Sequence, residues 1–132
     1  MSKVEKWTDA EIESALQEGR EEAALRAHFG DGLYDELTSL SRAPLRTQRS
    51  DQPKVFLLPG IMGSKLSVRE ADGGSDLIWI DPYSLRYSLD KLRWPQDPDP
   101  VFGSGVLSSA YLRMKFRLRW MGHDVEYLPY DW

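Results

Sequence analysis

Apolar and polar positions divide the chain into three stretches of different rhythm. In residues 1–41, Leu16, Leu25, Phe29, Leu33, Leu37 and Leu40 form an apolar stripe, and charge fills the positions between them. Thr8-Asp9-Ala10-Glu11 reads as a capping box, with Thr8 as N-cap and Glu11 at N3. Trp7 and Ile12 stand at the matching hydrophobic-staple positions. This pattern predicts a first helix ending near Gly19, a second from Glu21 to Phe29 closed by Gly30, and a third short helix over Leu33 to Leu40. From Ser41 to Gln52 the composition is that of a linker, with only Ala43 and Leu45 apolar, and Arg42, Arg46 and Arg49 read as solvated charge. The expected organisation is therefore a helical segment at 1–41, a linker at 42–53 and a third unit at 54–132.

In the third stretch the period changes. Val55–Leu58 is a short apolar run with the length of a buried strand. Leu66–Arg69 and Leu77–Ile80 predict two more strands, joined as a hairpin through Ala71-Asp72-Gly73-Gly74. Asp81-Pro82 is a helix start, with Asp81 as cap and Pro82 in the first turn, and that helix should end before Trp94-Pro95. Gln96 to Pro100 is turn-rich. A longer helix is expected from Ser109 to Met121, stopped by Gly122, with Arg117 and Arg119 at its negative end. Asp124–Leu128 closes as a strand. A strand, a crossover helix and a strand in this order predict a parallel pair in an α/β sheet. The last helix has two apolar stripes, one from Leu107, Tyr111, Met114, Leu118 and Met121, the other from Leu112, Phe116 and Trp120. Such a helix is expected to be sandwiched, with one face on the sheet and the other on the N-terminal helices, on further sequence or on a partner.

Composition narrows the chemistry. With 41% hydrophobic and 29% charged residues, the 132-residue chain has the makings of a folded domain. A net charge of −4 gives no electrostatic reason for a nucleic-acid partner. The absence of cysteine removes disulfides, thiolate metal sites and cysteine nucleophiles together. The N-terminus lacks the apolar core of a secretory signal and no apolar run is long enough to span a bilayer, so a cytoplasmic location with no transmembrane segment is expected. His28 and His123 make no metal motif, and each reads as a surface or capping residue. Asp97 and Asp99, set among prolines, fall short of a calcium site and read as a rigid turn. No cofactor or metal is implied.

The passage with chemical content is Lys54-Val55-Phe56-Leu57-Leu58-Pro59-Gly60-Ile61-Met62-Gly63-Ser64, a strand opening into a glycine turn. A loop of this kind can aim main-chain amides at one spot, as an oxyanion requires; it can also simply reverse the chain. Together with Leu77-Ile78-Trp79-Ile80-Asp81 and Gly122 to Trp132, which ends Leu-Pro-Tyr-Asp-Trp, this passage resembles the lecithin:cholesterol acyltransferase-like branch of the α/β-hydrolases. The resemblance runs over residues 54–132 and leaves the helical stretch outside it. It implies part of an α/β-hydrolase sheet and a serine acyltransferase or lipase acting on an ester lipid. By motif position, Met62 and Ile61 would be main-chain oxyanion donors, and Gly60, Gly63, Ser64 and Trp79 would lie at the substrate.

The family pattern places a G-x-S-x-G nucleophile motif, then Asp and His, after Tyr-Asp-Trp, and none of these occurs in the 132 residues. Ser64 has Met62 two residues before it, Ser75 has Leu77 two after and Ser104 has Phe102 two before, so none fits the motif and Ser64 is not expected to be a nucleophile. The expectation is a chain that carries an oxyanion loop without a triad and is inactive alone. It would act on a lipid or other acyl ester only when completed by further sequence. The alternative is a non-catalytic module that pairs with a second chain supplying the rest of the sheet. Trp79, Tyr83, Tyr87 and Trp94 follow the loop and could face lipid, or pack as core.

Overall fold

Residues 3–46, 51–69, 72–79 and 101–131 are described by the computed structural model, and they form a mixed α/β structure. The predicted helix over 81–94, the Gln96–Pro100 turn and Tyr83, Tyr87, Trp94, Asp97 and Asp99 lie outside the described residues.

A turn of 3-10 helix at Lys3–Lys6 leads into α1 (Asp9–Glu18). The capping box forms as read: the Glu11 amide donates to Thr8 Oγ1 at 3.2 Å, and the Thr8 amide donates to Glu11 Oε2 at 2.7 Å. Gly19 ends α1 at φ 70°, a conformation that costs glycine nothing. Then come α2 (Glu22–Phe29) and α3 (Asp31–Arg42), separated by Gly30 alone. The third helix is longer at both ends than its apolar stripe indicated. Asp31 suits its first turn, and Arg26 of α2 donates to both Asp31 and Asp35 across the junction.

These helices enclose a core of Val4, Ile12, Ala15, Leu16, Leu25, Tyr34 and Leu37, completed by Leu112 and Phe116 of α4 (Ser108–Trp120). The second stripe of that last helix thus faces the N-terminal helices. The first stripe divides: Tyr111 turns to the loop after β1, while Met114 and Met121 stay exposed. Polar contacts reinforce the packing. The buried Glu13 carboxylate takes both Lys115 and Arg119, and Glu36 pairs with Arg113 and Arg117.

The arginines beyond α3 also have partners. The Arg42 guanidinium donates to the carbonyls of Leu16 and Gln17, each at 3.1 Å. The Arg46 amide donates to Trp120 O at 2.8 Å, and its guanidinium lies 5.4 Å from the Trp120 ring centre. Arg42 and Arg46 are exposed, as solvated charges are, and each also finds a partner because carbonyls at a helix end and an indole face are nearby. Arg49 lies outside the described residues.

Among the described residues, two sheets carry the strands. In the first, β1 (Lys54–Leu57) runs parallel to β5 (Asp124–Tyr127), with Val55 opposite Val125 and Leu57 opposite Tyr127, as the strand–helix–strand order predicts. In the second, antiparallel sheet, β2 (Ser64–Arg69) lies between β3 (Ser75–Trp79) and β4 (Val101–Val106). The β2–β3 hairpin forms where the sequence placed it, and the Gly74 amide donates to Asp72 Oδ1 at 2.8 Å in its turn. Strand β4 had no place in the sequence reading. Its Val-Phe-Gly-Ser-Gly-Val has weak strand propensity, and what selects Gly103 is tertiary. A Cβ there would lie 2.6 Å from the Tyr130 amide nitrogen.

Candidate functional site

Strand β1 delivers the chain to Leu58-Pro59 and then to a four-residue turn in which the Gly63 amide donates to Gly60 O at 2.8 Å. Met62, third in the turn, has φ 66°. A non-glycine side chain pays roughly 1–2 kcal/mol for that left-handed backbone, so surrounding contacts have to hold it. Three of them do. Tyr111 Oη accepts from the Gly60 amide at 2.8 Å, the Leu107 amide donates to Gly63 O at 3.0 Å, and Trp79 Nε1 donates to Met62 O at 3.1 Å. Gly63 is required by crowding: a Cβ would lie 2.6 Å from Tyr111 Oη and 2.9 Å from Gly60 O.

The amides of Ile61 and Met62 donate to no acceptor among the described residues. Their side chains face solvent, with Ile61 80% and Met62 47% exposed. Two adjacent main-chain donors on a braced, exposed turn are available to an anion or a polarised carbonyl oxygen. Gly60 is exposed beside them and Gly63 is buried. Trp79 is half-buried, with its indole N–H committed to Met62 O. Ser64 is fully buried, and its hydroxyl accepts from the Tyr130 amide at 3.1 Å. That bond fastens the start of β2 to the segment after β5. The carboxyl ends of the two parallel strands are thus held side by side, the end at which α/β sheets carry ligands.

No serine hydroxyl hydrogen-bonds to a histidine among the described residues; Ser67 Oγ donates to Ser104 Oγ at 2.7 Å. His28 is partly buried with its ring edge-on to Phe29, and burial lowers its pKa. The Nδ1 of His123 is buried without a hydrogen-bond partner. Among the described residues no cluster of three or more metal-ligating side chains occurs, and no helix is long and apolar enough to cross a membrane.

Two features escaped sequence reasoning. Tyr111 sits in an apolar stripe and reads as packing, but its hydroxyl makes it the brace of the loop. Lys65, buried in β2, donates to Trp7 O at 3.0 Å and lies 3.9 Å from Asp9, whose Oδ2 accepts from the Val106 amide. Burial pushes the Lys65 pKa down and the Asp9 pKa up, because both charged forms lose water. The only sequence signal for this pair was a charge between Ser64 and Leu66 in a strand. Comparison with protein-family models, curated proteins and solved structures finds no match to the chain.

Proposed function

We propose that the chain is the N-terminal portion of a serine O-acyltransferase or lipase of the lecithin:cholesterol acyltransferase-like kind, acting on lipid esters. Its contribution is the oxyanion loop: Met62 and Ile61 offer main-chain donors, Gly60 and Gly63 shape the turn, and Trp79 supports it. The observation that carries this reading is the strained Met62 turn, braced by three hydrogen bonds from α4, its N-cap and β3 while two amides in it have no acceptor among the described residues. Backbone strain held by surrounding structure is a feature of functional loops. The resemblance in the loop and in Leu128-Pro129-Tyr130-Asp131-Trp132 supplies the family.

The 132 residues contain no G-x-S-x-G, so half of the oxyanion hole and all of the triad are missing. The expected result is no turnover of a chromogenic short-chain ester by this chain alone. Hydrolysis blocked by a serine-directed phosphonate would overturn that. Extended with a downstream segment bearing the nucleophile, the protein should hydrolyse the ester. Ile61→Pro, which deletes one donor at the turn position that proline favours, should then lower kcat by roughly 100-fold.

A second reading, a non-catalytic module completed by another chain, draws on the β1–β5 pair. Among the described residues it has two strands, and Phe56 and Leu58 are 48% and 64% exposed. Parallel sheets are ordinarily covered on both faces. Size-exclusion chromatography with a candidate complementing segment tests this reading: a stable complex supports it, and a chain that stays monomeric and binds no apolar dye counts against it.

A further inference from the structure

Five of the described elements close around a cavity of about 210 Å³. Glu5 comes from the 3-10 turn, His28 from α2, Lys65 from β2, Leu77 from β3, and Leu107 to Ser109 from the start of α4. Glu5 is the group in this lining that the fold leaves unsatisfied. Its side chain is partly buried, and its Oε2 is fully buried and accepts no hydrogen bond among the described residues. A carboxylate oxygen that has lost its water and gained no donor calls for a donor from outside the chain. The cation on the same wall is committed elsewhere: Lys65 donates to Trp7 O at 3.0 Å and lies 3.9 Å from Asp9. Lys65 and Asp9 balance each other, so Glu5 leaves the cavity with one uncompensated negative charge. His28 is neutral at neutral pH, because burial disfavours its charged form, and a neutral imidazole offers a second acceptor on the wall.

We propose that this cavity binds a small primary alkylammonium ion, its N–H groups on Glu5 Oε2 and the His28 imidazole and its alkyl chain against Leu77 and Leu107. A neutral hydroxyl would also donate to Glu5, but only a cation cancels its charge as well, and charge-assisted hydrogen bonds are the stronger ones. The N-terminus of α4 opposes the cation with about half a charge spread over its first turn, against the full charge of Glu5. A metal ion is disfavoured, since among the described residues no three or more His, Asp or Glu side chains come together to hold one. The volume lies below the roughly 300–1,000 Å³ of sites for drug-sized ligands, so the molecule is small. This site is independent of the oxyanion reading of the β1 loop.

Isothermal titration of the full chain with hexylammonium chloride tests the proposal, with hexanol and sodium hexanoate as controls of the same chain length. Hexylammonium is expected to bind at least about tenfold more tightly than either. Glu5→Gln should weaken hexylammonium binding by roughly tenfold and leave hexanol binding within about twofold. That variant takes no hydrogen bond from Oε2, so its melting temperature should equal that of the wild type or exceed it, which separates lost recognition from lost structure. Leu77→Ala should weaken hexylammonium and hexanol alike, by roughly threefold or more, through lost contact with the alkyl chain. If Leu77→Ala fails to fold, Glu5→Gln and the three ligands decide the matter. Equal affinity for hexanol, tighter binding of hexanoate, or unchanged affinity in Glu5→Gln overturns the assignment. A lower melting temperature in Glu5→Gln also counts against it, because Glu5 would then be serving the fold. Absence of saturable hexylammonium binding overturns it outright and leaves Glu5 Oε2 to water.

Discussion

Gly63 marks the narrowest point of the loop. Its missing Cβ leaves room for Tyr111 Oη and Gly60 O at once. Gly63→Ala should destabilise the protein by about 1–3 kcal/mol, read as a shift in the urea midpoint at constant slope, because either the Tyr111 brace or the turn has to give way. A second residue-scale prediction concerns Asp9, whose pKa is raised by burial despite the nearby Lys65 ammonium. In the folded chain Asp9 holds its proton to higher pH than in the unfolded one. Its contribution to stability is thus fully present below the unfolded value of 3.8 and is lost as pH rises through the folded value. Denaturant titrations at about pH 7 and about pH 4.5 should show the wild-type chain gaining stability on acidification relative to Asp9→Asn. An identical pH dependence in the two proteins would remove Asp9 as the cause.

At the scale of elements, α4 is the hinge of the architecture. It packs Leu112 and Phe116 into the helical core, sends Tyr111 to the β1 loop, and anchors Lys115 and Arg119 on Glu13 of α1. The Lys115–Glu13 pair is nearly buried, with side chains 9% and 11% exposed. Breaking such a pair leaves a desolvated charge, whereas replacing both partners with apolar groups does not. Glu13→Gln should therefore cost about 3–5 kcal/mol, and the double variant Glu13→Leu/Lys115→Met should recover most of it, as thermal or urea melts will show. Much of this element was legible. The helix, its length and the two-sided apolar pattern follow from spacing alone, and so do the capping box and the hairpin, because the groups involved are local. The destination of each stripe was not legible. Met114 and Met121 belong to a stripe expected to be covered and are exposed, since hydrophobic spacing says that a face exists and not what covers it.

At the scale of the whole molecule, the parallel pair β1–β5 and the antiparallel sheet β3–β2–β4 are tied together by a few point contacts. Chief among them are the Leu107 amide on Gly63 O and the Tyr130 amide on the Ser64 hydroxyl. Phe56, Leu58, Ile61, Met62, Leu128 and Tyr130 are all exposed on or just after the parallel pair. Exposed apolar side chains in that number near one end of a strand pair bind apolar dyes and favour association. The chain is expected to enhance dye fluorescence and to show concentration-dependent association on size-exclusion chromatography. Lys or Glu at Phe56 and Leu58 should reduce both without lowering the melting temperature by more than a few degrees. Insensitivity to those changes would place the sticky surface elsewhere.

The order of amino acids alone determined the helix caps, the turn glycines, the hairpin and the parallel strand–helix–strand unit. Each depends on residues close in the chain or on a period that repeats within one element. Tertiary structure alone decided β4, the bracing of the loop by Tyr111, the burial of Lys65 beside Asp9 and the docking of Arg42 and Arg46. These depend on groups tens of residues apart, whose meeting is set by packing and by the need of every buried polar atom for a partner. For the same reason the loop after β1 could be read as a glycine turn from its letters, while the two amides it leaves without acceptors among the described residues became visible only in the fold.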